Sequence, residues 1–235
     1  MSLTTSQQSR AVAAWAWLAA HFPGRRRVSL AVVPTTDETP ALSAVTAARD
    51  SGADGVFLVN AGIGHQKLLR IASGVAQRYA GFFVGVNCLD LRPQDVFCRL
   101  PAGVAGVWSR TPDLLPCEPA VVAAIADAYS ASAWRGLFFA EVDPAALLGV
   151  NKGDVEALGA RILQAMAAFE GVPSIITVDS GECYAHEARA TLSGMRRAVA
   201  GFPWAVVLPR PRLTSRGRAP RPAERRQVVV LMARG

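Results

Sequence analysis

Seven short apolar runs recur along the chain at a spacing typical of a repeating strand–helix unit. They begin near residues 28, 55, 82, 104, 136, 174 and 204, close to the roughly 30-residue period of a βα unit. In the second run, Val56, Phe57, Leu58 and Val59 follow one another without polar alternation, as expected of a parallel strand covered on both faces. The pattern predicts an α/β fold, a (β/α)8 TIM barrel, and the 235 residues are close to the about 250 that this fold uses.

Helices are predicted between these runs. In the segment 66–79, Leu68, Ile71 and Val75 fall along one stripe, which indicates an amphipathic helix. The helix at 6–22 precedes the first strand, so its apolar residues need a partner, either at the floor of the barrel or in the gap left by a missing last helix. The predicted set comprises 6–22, 40–50, 66–79, 120–131, 154–169 and 185–200, with a short helix after the third strand.

The eighth unit is where the pattern fails. Four prolines interrupt the segment between the seventh strand and the apolar run 227–232, and few apolar residues accompany them, so no long crossover helix is expected there. Two alternatives follow: the N-terminal helix covers this sector, or the barrel is incomplete at its eighth unit. The predicted organisation is an N-terminal helical extension (1–24), a barrel body (25–208) and an Arg/Pro-rich tail with a candidate last strand (209–235).

The net charge of +7 is confined to that tail. Residues 209–235 hold eight arginines against Glu224, which gives 8 − 1 = +7, and the remainder of the chain is neutral. A basic face on the folded body is thus not expected, which argues against nucleic acid as a partner. No apolar run reaches the about 18 residues of a membrane span, no secretion signal begins the chain, and the four cysteines form no C-x-x-C pair, so a cytoplasmic location is expected.

Polar residues follow successive strands, where parallel barrels place their active sites. The candidate catalytic residues are Glu141, Asp179 and His65, since carboxylates and imidazole can exchange protons, and carboxylates could also hold a divalent cation. The alternative is that these Asn and Asp residues only end strands and cap turns. No cofactor motif or metal cluster is identified. The candidate ligand-binding residues are Asn60, Asn87, Asp90, Arg110, Ser180 and Gly181.

Three phrases carry a family resemblance. SGADGVFLVNAGI, FFVGVNCLDL and PAGVAGVWS resemble the second, third and fourth strand regions of the BtpA family, whose members are barrels similar to the ribulose-phosphate-binding barrels. The resemblance implies a pocket for a phosphate or a phosphosugar-like ligand. The founding member's link to photosystem I assembly implies a nonenzymatic alternative, an assembly or scaffold factor.

The resemblance weakens toward the C-terminus. Asp179-Ser180-Gly181 stands where the family has Thr-Ser-Gly followed by Gly-Thr-Gly, and Pro209-Arg210-Pro211-Arg212 replaces a phosphate loop. One hypothesis is that the coding region from about residue 208 is frame-shifted or decayed, which would leave a degenerate, inactive barrel. Translation of the other two frames tests it, because a glycine-rich continuation should then appear in one of them.

The favoured function is a barrel that binds or acts on a small phosphorylated or carboxylated metabolite. The second hypothesis is a scaffold that holds a partner, or another copy of the chain, through Trp15 or Trp17, which cannot share one helix face. The third is nonspecific nucleic-acid binding by the arginine-rich tail.

Overall fold

Eight strands close into a barrel in chain order. The computed structural model describes residues 5–25, 27–88, 92–110, 119–142, 172–179, 204–209 and 226–231. The strands are β1 (Arg27–Thr35), β2 (Gly55–Asn60), β3 (Phe83–Asn87), β4 (Gly106–Arg110), β5 (Leu137–Val142), β6 (Ser174–Asp179), β7 (Trp204–Pro209) and β8 (Arg226–Leu231). The described helices are α1 (Thr5–His21), α2 (Glu38–Asp50), α3 (His65–Arg78), α4 (Pro93–Phe97) and α5 (Pro119–Ala131).

The α/β barrel prediction is confirmed. Each of the seven predicted strands is present within two residues of its predicted start, and β1 to β7 pair in parallel with their neighbours. The five helices in the described ranges also match. The helices predicted at 154–169 and 185–200 lie outside the described residues. Along the described parts of the chain, no helix combines the length and apolar character needed to cross a membrane.

The last strand completes the ring in a way that the repeat pattern did not predict. β8 is antiparallel to both β7 and β1, and Arg226 at its start pairs with Pro209 at the end of β7. An antiparallel return needs no crossover helix, so the helix that the proline-rich segment cannot form is not required for closure. Val228 and Val230 are fully buried, so residues 226–231 belong to the barrel wall.

Helix α1 closes the amino-terminal end of the barrel, which is one of the two positions predicted for it. Its residues Ala14 and Leu18, with Phe22 just beyond it, are buried in the cluster that fills the barrel interior. The indole Nε1–H of Trp17 donates a hydrogen bond to the carbonyl oxygen of Arg135 at 3.0 Å, immediately before β5. The helix therefore forms the floor of the barrel.

The barrel interior is filled by aromatic rings. Phe57 makes edge contacts with Phe83, Trp108 and Phe139 at centroid distances of 5.6, 5.5 and 4.8 Å. Gly85 makes room for this cluster, since a Cβ at that position would lie 2.3 Å from the Phe57 ring. Burial of each aromatic side chain stabilises the fold by about 1.5–3 kcal/mol.

A second apolar layer lies between the barrel wall and the helices. Val56 and Leu58, which alternate with Phe57, are fully buried on this outer side. They belong to one cluster with Val45 of α2 and Leu68 of α3. Both faces of β2 are therefore covered, which explains why its sequence shows no polar alternation.

The turn before β2 joins three strands. Gly52 has a φ of 82°, in the left-handed region that glycine adopts readily. The Asp54 carboxylate accepts the Ser29 backbone N–H at 2.9 Å and pairs with Arg25 at 3.2 Å. The Asp54 backbone carbonyl accepts the N–H of Phe83 at 3.3 Å. The Gly-Ala-Asp-Gly phrase thus has a structural role at the base of β1, β2 and β3.

We expect Gly85→Ala to destabilise the protein by about 1–3 kcal/mol, because its methyl group would overlap the Phe57 ring in a packed interior. Gly74→Ala is the matched control: no atom lies within 4 Å of a Cβ there, and the exposed helical site should gain about 0.4–1 kcal/mol. Urea unfolding of the two variants measures both effects. Equal midpoints for the two would contradict the packing of Phe57 against Gly85.

Candidate functional site

The carboxyl ends of β1 to β7 define one rim of the barrel, opposite the floor formed by α1. Strand register brings several predicted site residues onto neighbouring strands at this rim. Asn87 pairs with Trp108, and Arg110 pairs with Glu141. Glu141 pairs in turn with Thr177, and Asp179 ends β6 two residues later. The backbone positions predicted to carry chemistry are therefore contiguous around one rim.

Asn87 is the candidate whose side chain is best defined. It lies four positions beyond Phe83, so the two side chains share the lumen face of β3. Asn87 is only 3% exposed. A buried carboxamide at the end of a barrel strand can donate and accept hydrogen bonds in a region with little water. This geometry is consistent with a ligand-binding role.

Asn60 has a local structural role. Its side-chain oxygen accepts backbone N–H groups from Gly62, Ile63 and Gly64 at 3.1–3.2 Å. The three bonds shape the loop between β2 and α3, which is the turn-capping role that the sequence analysis gave as the alternative for such residues. That oxygen is engaged by the chain itself.

His65 is half-buried at the first position of α3. The nearby Lys67 ammonium lies 2.9 Å from the Asp37 carboxylate, and Asp37 also caps α2 by accepting the Glu38 backbone N–H at 2.8 Å. The hydrogen bond from Lys67, followed by that from Glu38, lowers the pKa of Asp37 below its ordinary value. Sequence reasoning did not single out Asp37; a carboxylate between the first strand and its helix was the available signal.

The remaining candidates are defined less completely. For Arg110, Glu141 and Asp179 the structure gives the backbone register. Asp90, Ser180 and Gly181 lie outside the described residues. Among the side chains that the structure describes, no group of three or more His, Cys, Asp or Glu residues could hold a metal ion.

Two buried polar groups near the rim were not predicted. The indole nitrogen of Trp108 and the hydroxyl of Thr177 are both buried, and neither has a hydrogen-bond partner among the described residues. Trp108 looks like an ordinary core residue in the sequence, and Thr177 looks like an ordinary strand residue. Their shared position inside the barrel emerges only from strand register.

A cleft of about 660 Å³ lies at the other end of the barrel, between α1 and the segments that precede β3, β4 and β5. Its wall contains the Trp17 and His21 rings, stacked at 3.6 Å. The polar groups there have structural partners: Trp17 donates to the Arg135 carbonyl oxygen, and Arg135 donates to the backbone oxygens of Ser132 and Trp134. In TIM barrels the catalytic residues lie at the opposite, carboxyl-terminal end of the strands, and this end contributes to stability.

No family model matches the chain, and no curated protein matches it. Solved structures do resemble it. A putative lyase/mutase from Burkholderia cenocepacia aligns over 86% of this chain and 74% of its own, at 20% identity and a TM-score of 0.51. Dihydropteroate synthase from Yersinia pestis aligns over 78% of this chain and 70% of its own, at 16% identity and a TM-score of 0.51. These likenesses concern the fold, and they agree with an α/β TIM barrel.

We expect Lys67→Met to raise the pKa of Asp37 toward its ordinary value, because the variant removes the largest cause of the depression and leaves the Glu38 N–H. A depressed carboxyl pKa stabilises the fold above the unfolded-state pKa, and this contribution is lost as pH falls through the folded-state value. The stability difference between wild type and variant should therefore shrink in acid. Carboxyl NMR titration measures the pKa.

Arg49→Met is the matched control for that titration. Arg49 pairs with Asp50 at the other end of α2, with a nitrogen–oxygen distance of 3.3 Å. Its removal should leave the Asp37 titration unchanged. An unchanged Asp37 pKa in Lys67→Met would show that the 2.9 Å ion pair is not formed in solution.

Proposed function

We propose that this protein binds and acts on a small phosphorylated or carboxylated metabolite at the carboxyl-terminal rim of its barrel. One observation carries the proposal: strand register places Arg110, Glu141 and Asp179 on three consecutive strands within two residues of one another. A cation beside two carboxylates provides both an anion-binding group and a pair of proton-transfer groups. Structural packing alone does not require charged residues at successive strand ends.

In this proposal the residues have separate roles. Arg110 binds the anionic group of the metabolite, together with the backbone of Ser180 and Gly181. Asn87 fixes the orientation of the ligand through its carboxamide. Glu141 and Asp179 transfer protons, with His65 as an additional acid or base, and a divalent cation held by the carboxylates would supply electrophilic stabilisation.

Two comparisons support a metabolite-directed function. The structural neighbours with the same fold are named as a synthase and as a putative lyase/mutase. The resemblance of the strand-end phrases to the BtpA family points separately to phosphate. Both lines are arguments by analogy of fold or phrase, and the charged strand ends remain the principal support.

The other functions lack comparable support. The Trp17 indole is hydrogen-bonded to the Arg135 carbonyl oxygen, and Trp15 packs against the core clusters. Neither indole is therefore the fully exposed anchor that a scaffold would use. The tail is not simply a free basic arm, since residues 226–231 form β8. Truncation at residue 208 would remove a barrel strand as well as the arginines.

A thermal-shift screen with inorganic phosphate, sugar phosphates, dicarboxylates and Mg²⁺ tests the proposal, because a ligand that binds only the folded state raises the melting temperature. Arg110→Met should weaken binding of the phosphorylated ligand at least tenfold, as expected for a lost charge-assisted contact. Arg49→Met, at the opposite end of the barrel, should bind like wild type. Stabilisation by none of these compounds, or equal loss in both variants, would refute the rim as an anion site.

A further inference from the structure

Trp108 and Thr177 are the two described side chains with buried polar atoms that lack a hydrogen-bond partner within the described part of the chain. Trp108 is 2% exposed and Thr177 is 0% exposed. Leaving such a group unsatisfied costs about 1–3 kcal/mol. Native interiors rarely tolerate that cost, and exceptions tend to mark places where a ligand or a water completes the hydrogen bonds.

The two groups lie at the same level of the barrel. The strands of a closed barrel tilt relative to the barrel axis. The residue at the same height two strands away is therefore found by following the register pairs across both strands and then moving two residues toward the rim. Trp108 pairs with Phe139, and Phe139 pairs with Ile175, which places Thr177 level with Trp108. The same rule applied from Thr177 through Ala205 of β7 gives Val228 of β8 as the residue at this height. Applied from Phe57 through Gly85 of β3, it gives Trp108 of β4. The four positions at this level are Phe57, Trp108, Thr177 and Val228.

The next level toward the rim is also polar in part. Counting from Asn87 through Trp108 to β5 gives Glu141 as the residue level with it. One level further, the same count joins Arg110, Asp179 and Arg226. Arg110 and Asp179 are two residues beyond Trp108 and Thr177 on their own strands, or about 6.6 Å at 3.3 Å per residue.

We infer that Trp108 and Thr177 form the deep end of the metabolite site and receive an uncharged oxygen of the ligand, a hydroxyl or a carbonyl. The inference rests on the proposed function and specifies its ligand: a small molecule with an anionic group near the rim and an oxygen about 6–7 Å from it, measured along the strand direction. The indole N–H donates to this oxygen, and the threonine hydroxyl can donate or accept. A single hydroxyl can therefore satisfy both side chains.

The surroundings favour an uncharged group. Phe57, Phe139 and Val228 contribute to the same buried cluster as Trp108. Moving an anion into such apolar surroundings costs several kcal/mol unless a cation accompanies it. A neutral oxygen meets the hydrogen-bonding need without that cost.

A matched pair of probes separates the deep subsite from the anion site. sn-Glycerol 3-phosphate and propyl phosphate carry the same phosphate and carbon chain, but only the first has hydroxyl oxygens. We expect glycerol 3-phosphate to bind wild type about tenfold more tightly by calorimetry, and to shift the Trp108 indole N–H in ¹H–¹⁵N spectra, assigned by its loss in Trp108→Phe. Propyl phosphate should bind without moving that resonance.

Thr177→Val removes the hydroxyl and keeps the shape of the side chain. It should reduce the preference for glycerol 3-phosphate about tenfold and leave propyl phosphate binding unchanged, and the melting temperature of the unliganded variant should be equal to or above that of wild type, since a buried unpaired hydroxyl is lost. Thr46→Val is the matched control. The Thr46 hydroxyl contacts the Leu42 carbonyl oxygen and the Tyr79 hydroxyl on the outer side of the barrel, so the ligand preference should persist.

The outcomes distinguish the two proposals. Equal binding of both probes with a stationary Trp108 resonance would overturn the deep subsite, with water as the partner of the indole, and would leave the anion site standing. A melting temperature several degrees lower in Thr177→Val would also overturn it, because the hydroxyl would then be bonded within the protein. Binding of neither probe would overturn the subsite for phosphorylated ligands together with the anion site on which it rests.

Discussion

Aromatic packing inside the barrel is the constraint on which the rest of the structure depends. Phe57 occupies the centre, and its contacts with Phe83, Trp108 and Phe139 join β2, β3, β4 and β5 through one set of rings. Gly85 and Gly106 are required opposite these rings, because a Cβ at either position would lie within 2.5 Å of an aromatic carbon. With α1 below, this packing makes the lower interior solid, so any chemistry in the lumen is confined to the upper levels.

Much of this fold is predictable from sequence because it follows from local burial. Strands covered on both faces must be apolar throughout, and the start of β2 near residue 55 was predictable from its apolar run. The direction of β8 could not be predicted, because Gln227 and Val228 would suit either orientation and the choice depends on pairing with distant strands. The lack of a predicted crossover helix between β7 and β8 was compatible with an antiparallel last strand, but equally with an incomplete barrel.

The candidate site shows how far strand-end residues can be interpreted. Asn60 and Asn87 both end parallel strands, yet Asn60 is three residues beyond Phe57, whereas Asn87 is four residues beyond Phe83. Because side chains alternate between faces, only Asn87 shares the lumen face with its aromatic neighbour, and Asn60 caps a loop. The alternation of side chains along each strand could have distinguished Asn60 from Asn87 once the lumen face was known. Trp108 and Thr177 needed the register of the whole ring, which no local pattern contains.

The antiparallel direction of β8 changes the meaning of the charge distribution. Pro209 and Arg226, which flank segment 210–225 in the sequence, pair at the rim beside the candidate site. That segment holds six arginines and Glu224, a net charge of 6 − 1 = +5. Positive charge held near a binding site attracts small anions over about 8–10 Å at physiological salt. A metabolite of the anionic class proposed above would therefore associate at a rate that falls as ionic strength rises.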